Sequence, residues 1–281
     1  MIAEKGSGKV EEKKNFKEEY LEKLKQFRLM DDDFMSKCFE DNIECTELVI
    51  RIVLNREDLK IEKVHTQHRI KNLQGRSIIL DIYATDGQGK KYNIEIQRSD
   101  KGAHAKRARY NSSLIDANIT EPGEAYENLA ETYVIFITER DVLGYGLPIY
   151  HIERIIQEVG EIFDDEEHII YVNGEYRDDS PIGILMQDFS CTDPEKIQYK
   201  QLAERVRYFK EDEKGVAVMC KMMEDMKNES SKEAALVTEL AIKRKMALKL
   251  LKEGKRSLEE IAEFTELSVD EIEELSKHME E

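Results

Sequence analysis

The sequence predicts an α/β domain, a mixed sheet flanked by helices, followed by a helical C-terminal extension. Three observations predict it. Segments of strand character at residues 61–70, 77–84 and 91–97 follow a helical stretch. A polar helical stretch comes next, and then the wholly apolar run Tyr133-Val134-Ile135-Phe136-Ile137. Helix, three strands, helix, strand is the order of a layered α/β architecture. From Pro194 to Glu253, finally, helix formers continue without Gly/Pro clusters.

Residues 1–30 read as a charged lead-in. Gly6-Ser7-Gly8-Lys9 invites a phosphate-loop reading, but the upstream Gly and the preceding buried strand that such a loop needs are missing. Phe34, Cys38, Cys45, Leu48, Val49, Ile52 and Val53 have the spacing of one core-facing helix over 34–55. The two strands at 77–84 and 91–97 flank Asp86-Gly87, a strong hairpin signal. Residues 100–118 form the polar helix. Residues 132–138 form a strand buried on both faces. Residues 149–159 are expected to be helical, and 167–173 a strand ended by Asn173-Gly174. Capping boxes at Ser257-x-x-Glu260 and Ser268-x-x-Glu271 open two short helices, 258–264 and 269–279. The expected division is a lead-in (1–30), a catalytic-type α/β domain (31–193), a helical extension (194–255) and a helix-turn-helix-like tail (256–281).

The 281 residues are 40% hydrophobic and 37% charged, with a net charge of −17. No apolar run of about 18 residues exists, which excludes a membrane-spanning helix. The N-terminus lacks the apolar core of a secretory signal. Cys38, Cys45, Cys191 and Cys220 form no CxxC pair and read as free thiols in a reducing cytoplasm. The acidity disfavours nucleic acid on average. It is unevenly spread: Arg51–Tyr110 carries a net +7 and Glu121–Ser190 a net −14. One basic block in so acidic a chain is a place where an anion can bind.

Side chains alternate faces along a strand, so Ile79, Asp81 and Tyr83 are expected on one face, and Asn93, Glu95 and Gln97 on one face of the next strand. Antiparallel pairing across Asp86-Gly87 then sets Asp81 beside Glu95, with Gln97 adjacent. Carboxylates within apolar strands are costly unless a cation pairs with them, and two facing each other repel. A shared Mg²⁺ or Mn²⁺ resolves this. The alternative is one carboxylate salt-bridged to a nearby Lys or Arg. His65 and His68 are expected on opposite strand faces, and the six histidines form no zinc-like spacing.

The run Asp81…Glu95-Ile96-Gln97 resembles the PD-(D/E)XK nuclease signature. More specifically, the block "GRSIILDIYATDGQGKKYNIEIQ", the basic stretch Lys106-Arg107-Ala108-Arg109-Tyr110, Asp33-Phe34, Asp188-Phe189 and "RVRYFKEDEKGV" resemble the recombination-promoting nuclease and transposase family of that superfamily. The resemblance implies a restriction-endonuclease-like fold and Mg²⁺- or Mn²⁺-dependent hydrolysis of nucleic acid, DNA rather than RNA. It implies metal held by Asp81, Glu95 and the Ile96 carbonyl, and a glutamate from the first helix completing the site. Glu47, Glu44 and Glu40 are candidates, with Glu47 preferred. Gln97 stands where the superfamily has Lys. Its amide orients water but brings no charge, so the charge must come from Arg98, Lys101, Lys106 or Arg107. Those four also suit the nucleic-acid backbone, although a solvated basic face has the same composition. The final helix, Val269–Glu281, has six acidic residues against one Lys. That suits packing or homo-oligomerisation better than a DNA groove. A nuclease fold kept only for binding is the rival reading.

Overall fold

The computed structural model describes residues 18–73, 75–98 and 100–277; the Gly6-Ser7-Gly8-Lys9 run lies outside them. By chain contacts the protein divides into two compact units, Met1–Met219 and Cys220–Glu281.

In the first unit, residues 18–26 (α1) are helical. They are followed by α2 (Asp32–Phe39), α3 (Ile43–Leu54), β1 (Ile61–Ile70), β2 (Ile78–Asp86), β3 (Lys91–Gln97), α4 (Ala105–Ile119) and β4 (Thr132–Thr138). Then come β5 (Ile149–Ile152), β6 (Ile155–Ile156), β7 (Glu161–Ile162), β8 (Glu167–Asn173), α5 (Pro181–Ser190) and α6 (Lys200–Glu211). One mixed sheet has the order β1-β2-β3-β4-β8-β5. Its first three strands are an antiparallel meander, and β3, β4 and β8 are parallel. All seven residues of β4 are buried, as a central strand between two parallel neighbours requires.

The helix α4 covers one face, over Ile70, Leu80, Val134, Phe136 and Tyr171. The helices α2 and α3 lie against β1 and β2, and pack on α5 and α6. No helix among the described residues is long and apolar enough to cross a membrane.

Several expectations are corrected. The helix expected over 34–55 is two helices, because Asp41 takes a left-handed backbone (φ 52°) and Asn42 caps α3 by accepting from the Cys45 N–H at 3.0 Å. An Asn offering its side chain to a helix start competes with continuation of the helix before it. Cys38 and Cys45 therefore sit on different helices. Both are buried, and burial pushes the Cys45 thiol up to about 12.

Residues 149–159 are not a helix. The segment 149–152 is edge strand β5, and β6 and β7 form a hairpin. Their Ile and Val spacing fits a helix, but strand pairing with Ile169–Val172 satisfies the backbone of 149–152 instead. The lead-in is anchored from residue 18 onward: Tyr20, Leu24, Leu29 and Met30 are buried core residues. Whereas the sequence starts the helical extension at 194, α6 contacts α2 and α3 within the first unit.

The second unit contains most of the 41-residue helix α7 (Glu213–Glu253), with α8 (Leu258–Thr265) and α9 (Val269–Lys277). Ala247, Ile261, Ala262, Leu267 and Ile272 form its core. Both capping boxes are present, with Ser257 and Ser268 bonded reciprocally to Glu260 and Glu271.

Candidate active site

The hairpin that carries the carboxylates is set by Asp86, whose Oδ1 accepts from the N–H groups of Gln88 and Lys90 and whose Oδ2 accepts from the Tyr92 hydroxyl. Gly89 (φ 87°) supplies the left-handed residue that this turn needs. Pairing of β2 with β3 then runs from Thr85↔Lys91 to Ile82↔Ile94. Continued by one step, it would put Asp81 opposite Glu95.

The ladder breaks there. Asp81 Oδ2 accepts a hydrogen bond from the Ile96 N–H at 2.9 Å, so a side-chain oxygen takes the place of a strand carbonyl. Alternation in β2 breaks at the same residue. Leu80 belongs to the core under α4, and Tyr83, three residues on, packs against that core, while Ile79 is 43% exposed. Ile79, Asp81 and Tyr83 therefore do not share a face, contrary to strict alternation. The neighbouring strand β1 yields in step: Gln67 has φ 51°. As a result the His65 and His68 rings lie together, 5.7 Å apart, rather than on opposite faces.

In a strand the N–H and C=O of one residue point the same way. The Ile96 N–H points towards Asp81, and the Gln97 carbonyl points the other way, accepting from Glu139 N. The Ile96 carbonyl is thus directed to the Asp81 side.

Glu95 is fully buried on the α4 face, beside Phe136 of β4. Its Oε2 accepts from Arg107 Nη2, and its Oε1 is buried without a hydrogen-bond partner. The same guanidinium donates from Nη1 to Gln97 Oε1 at 3.1 Å and to the Gly102 carbonyl at 3.0 Å, and lies 5.8 Å over the Phe136 ring. A Cβ on Gly102 would stand 1.8 Å from Gln97 Oε1, so this glycine makes the cradle in which the amide lies.

Of the two expected ways of compensating the pair, a shared metal ion or a salt bridge from a nearby Lys or Arg, the structure shows the second: a guanidinium from α4 pairs with Glu95. Of the residues proposed to replace the missing lysine charge whose side chains are described, Arg107 is the one that touches Gln97. Arg98 instead pairs with Asp31 and Glu139. Lys106 is exposed in the first turn of α4, and Lys101 lies outside the described side chains.

Glu47 is not brought to this place. Its Oε2 accepts from the Ile61 N–H at 2.9 Å, and its Oε1 pairs with Arg51 and Lys60. Ile61 pairs with Asp86, five residues from Asp81 and so roughly 17 Å along the strand. Glu47 ties α3 to β1. The acid that α2 does bring is Asp32, whose charge raises the Asp81 carboxyl and feels Arg107, and whose Oδ1 accepts from Gln67 Nε2 at 3.3 Å. Sequence reasoning missed Asp32. It stands among Asp31-Asp32-Asp33 at a helix start, where acids are common for their interaction with the helix dipole.

Burial pushes the Asp81 carboxyl up to about 6. Burial first, and then the charge of Asp81, push Glu95 up to about 8, while Arg107 opposes. Among the described residues no group of three or more His, Cys, Asp or Glu is preassembled around a metal position. The donors nevertheless fit a hard divalent cation: two carboxylates, one with an unpartnered buried oxygen, a strand carbonyl, and Asp32 nearby.

A mixed sheet with an acid on a broken strand β2 and an acid-x-Gln run on β3, flanked by helices, is the PD-(D/E)XK nuclease fold. Residues 40–176 match the model of the PD-(D/E)XK nuclease family transposases. The match includes Asp81, Glu95, Gln97 and Arg107 and begins after Asp32. Neither a curated protein nor a solved structure matches the chain significantly.

Proposed function

We propose that the protein is a divalent-metal-dependent endonuclease that hydrolyses DNA phosphodiester bonds, in a setting of DNA recombination or mobile elements. The observation that carries this reading is the pair of buried carboxylates, Asp81 and Glu95, close enough for the charge of Asp81 to raise Glu95, with Glu95 Oε1 unpartnered and the charge of the exposed Asp32 felt at Asp81. Asp81, Glu95 and the Ile96 carbonyl would hold Mg²⁺ or Mn²⁺. When bound, such an ion lowers the pKa of water and offsets charge on the scissile phosphate.

The chain's own residues do the rest. Gln97 orients water through its amide, and its Oε1 is fixed by Arg107. Arg107 brings to the site the positive charge that lysine carries elsewhere in the superfamily, where it can stabilise charge developing on phosphate. Lys106 and Arg98, exposed near either end of the segment that joins β3 to α4, would meet the nucleic-acid backbone. The acidic tail serves packing or self-association rather than base reading.

Plasmid nicking by the purified protein with Mg²⁺, Mn²⁺ or EDTA, compared with Asp81→Ala, tests the reading. Nicking that needs the ion and Asp81 is expected; nicking that survives both losses overturns the assigned site. A second reading, a binding protein on a nuclease fold, is favoured by one observation, the Arg107–Glu95 ion pair. It wins if the protein binds DNA or RNA and never cuts either.

A further inference from the structure

At the carboxyl ends of β3, β4 and β8 lies a cleft of about 610 Å³ lined by Arg28, Arg98, Arg140 and Arg177, with Glu139, Glu175 and Ser190. In a chain of net charge −17, four guanidiniums around one concavity are out of keeping with the surroundings. Two of them are compensated: Arg28 and Arg98 both pair with Asp31 and Glu139.

The other two make no ion pair among the described residues. Arg177 donates to the carbonyls of Gly174 and Tyr176 and to Ser190 Oγ, all neutral acceptors, and Glu175 acts on it only through space. Burial lowers its pKa, and the charge of Glu175 offsets this only in part. Arg140 is exposed, follows β4 directly, and makes no ion pair among the described residues; its carbonyl accepts from Thr138 Oγ1 at 2.7 Å. Glu175 accepts from the Asp141 N–H at 3.3 Å.

We propose that this cleft is a phosphate-binding site, with Arg140 and Arg177 as the binding residues. Planar guanidiniums bind phosphate oxygens in a fork, and the carboxyl ends of parallel strands are where α/β sheets bind ligands. The cleft adjoins the candidate active site, since Arg98 follows Gln97 and the Gln97 carbonyl accepts from Glu139 N. A strand of nucleic acid crossing Gln97 can therefore place a neighbouring phosphate here. A terminal phosphate or inorganic phosphate offers the same oxygens. Binding does not require that the protein cleave.

The test is fluorescence anisotropy of the full chain in EDTA with a short 3′-labelled oligonucleotide, with and without a 5′-phosphate, and with inorganic phosphate as competitor. Arg140→Ala and Arg177→Lys are each expected to weaken binding about tenfold, the worth of one charge-assisted contact. Arg140→Ala should also lower the slope of log affinity against log salt by about one. Competition by inorganic phosphate, or tighter binding of the 5′-phosphorylated strand, identifies a terminal or free phosphate. The same losses without either effect identify an internal phosphodiester.

If wild type binds none of these probes, or if Arg140→Ala binds them like wild type at an unchanged melting temperature, the proposal is overturned. Arg140, exposed and unpaired, decides the matter should Arg177→Lys fail to fold. Failure of the nuclease reading is separate: it shows as absence of nicking with Mn²⁺ while these affinities persist.

Discussion

Glu95 carries opposed demands at one position. It is buried, it faces the field of Asp81, and one of its oxygens is held by Arg107 while the other has no partner. Asp81 and Glu95 both titrate higher in the folded chain, at about 6 and about 8, than carboxyls in an unfolded one, near 4. The folded state holds protons that the unfolded state has lost, so their contribution erodes stability as pH rises from about 4 to about 8. Asp81→Asn keeps an acceptor for the Ile96 N–H and removes the charge. In EDTA it is expected to raise stability on the order of 1–3 kcal/mol at pH 8 and not at pH 4, read by thermal melting, while abolishing nicking. Arg107→Met should do the reverse. It leaves Glu95 without its cation and costs about 3 kcal/mol at pH 8, less at pH 5 where Glu95 takes up a proton. Nicking should fall roughly a hundredfold. At this scale the sequence singled out Asp81, Glu95 and Gln97 as candidates, through hairpin length and the resemblance to the acid–hairpin–acid-x-Lys signature. It could not choose Arg107 from four basic residues, since that choice depends on where α4 crosses the sheet.

Among the elements, β3 and α4 form the working part, and the short connection containing Gly102 sets their spacing. Gly102→Ala must displace Gln97 and loosen the Arg107 fork. Nicking is expected to drop at least tenfold with a melting loss of only a few degrees; an unchanged rate would show that the Gln97 position is unimportant. Glu47→Gln should behave oppositely, costing about 1–2 kcal/mol through weakened ties to Arg51, Lys60 and Ile61. Nicking by the folded fraction should be unaffected.

Most elements were legible because hydrophobic periodicity reports burial directly: β3 and β4 begin and end where the pattern does. Three features were hidden. The break at Asp41-Asn42 depends on a side-chain cap, β5 depends on a partner strand, and the flip at Asp81 replaces a ladder bond by a carboxylate. None of these leaves a mark on apolar spacing. The same flip is why face alternation misplaced Ile79.

For the whole molecule, net charge said little and charge distribution said more. The −17 average conceals both the basic segment around α4 and the arginine-lined cleft at the sheet's carboxyl end. That cleft assembles from residues 28, 98, 140 and 177, a separation that sequence windows do not bridge. The C-terminal helix pair was readable from its two capping boxes, which are local by nature.

The elevated carboxyls link ion binding to protons across the molecule: a metal that requires ionised Asp81 and Glu95 must displace protons from them. The most direct test is the binding of Mn²⁺ to the full chain, followed by electron paramagnetic resonance at pH 6 and pH 8, for wild type and Asp81→Asn. One site is expected in wild type, several-fold tighter at pH 8, with proton release on binding, and lost in Asp81→Asn. Equal binding by the two proteins, or no binding by wild type at pH 8, would contradict the account.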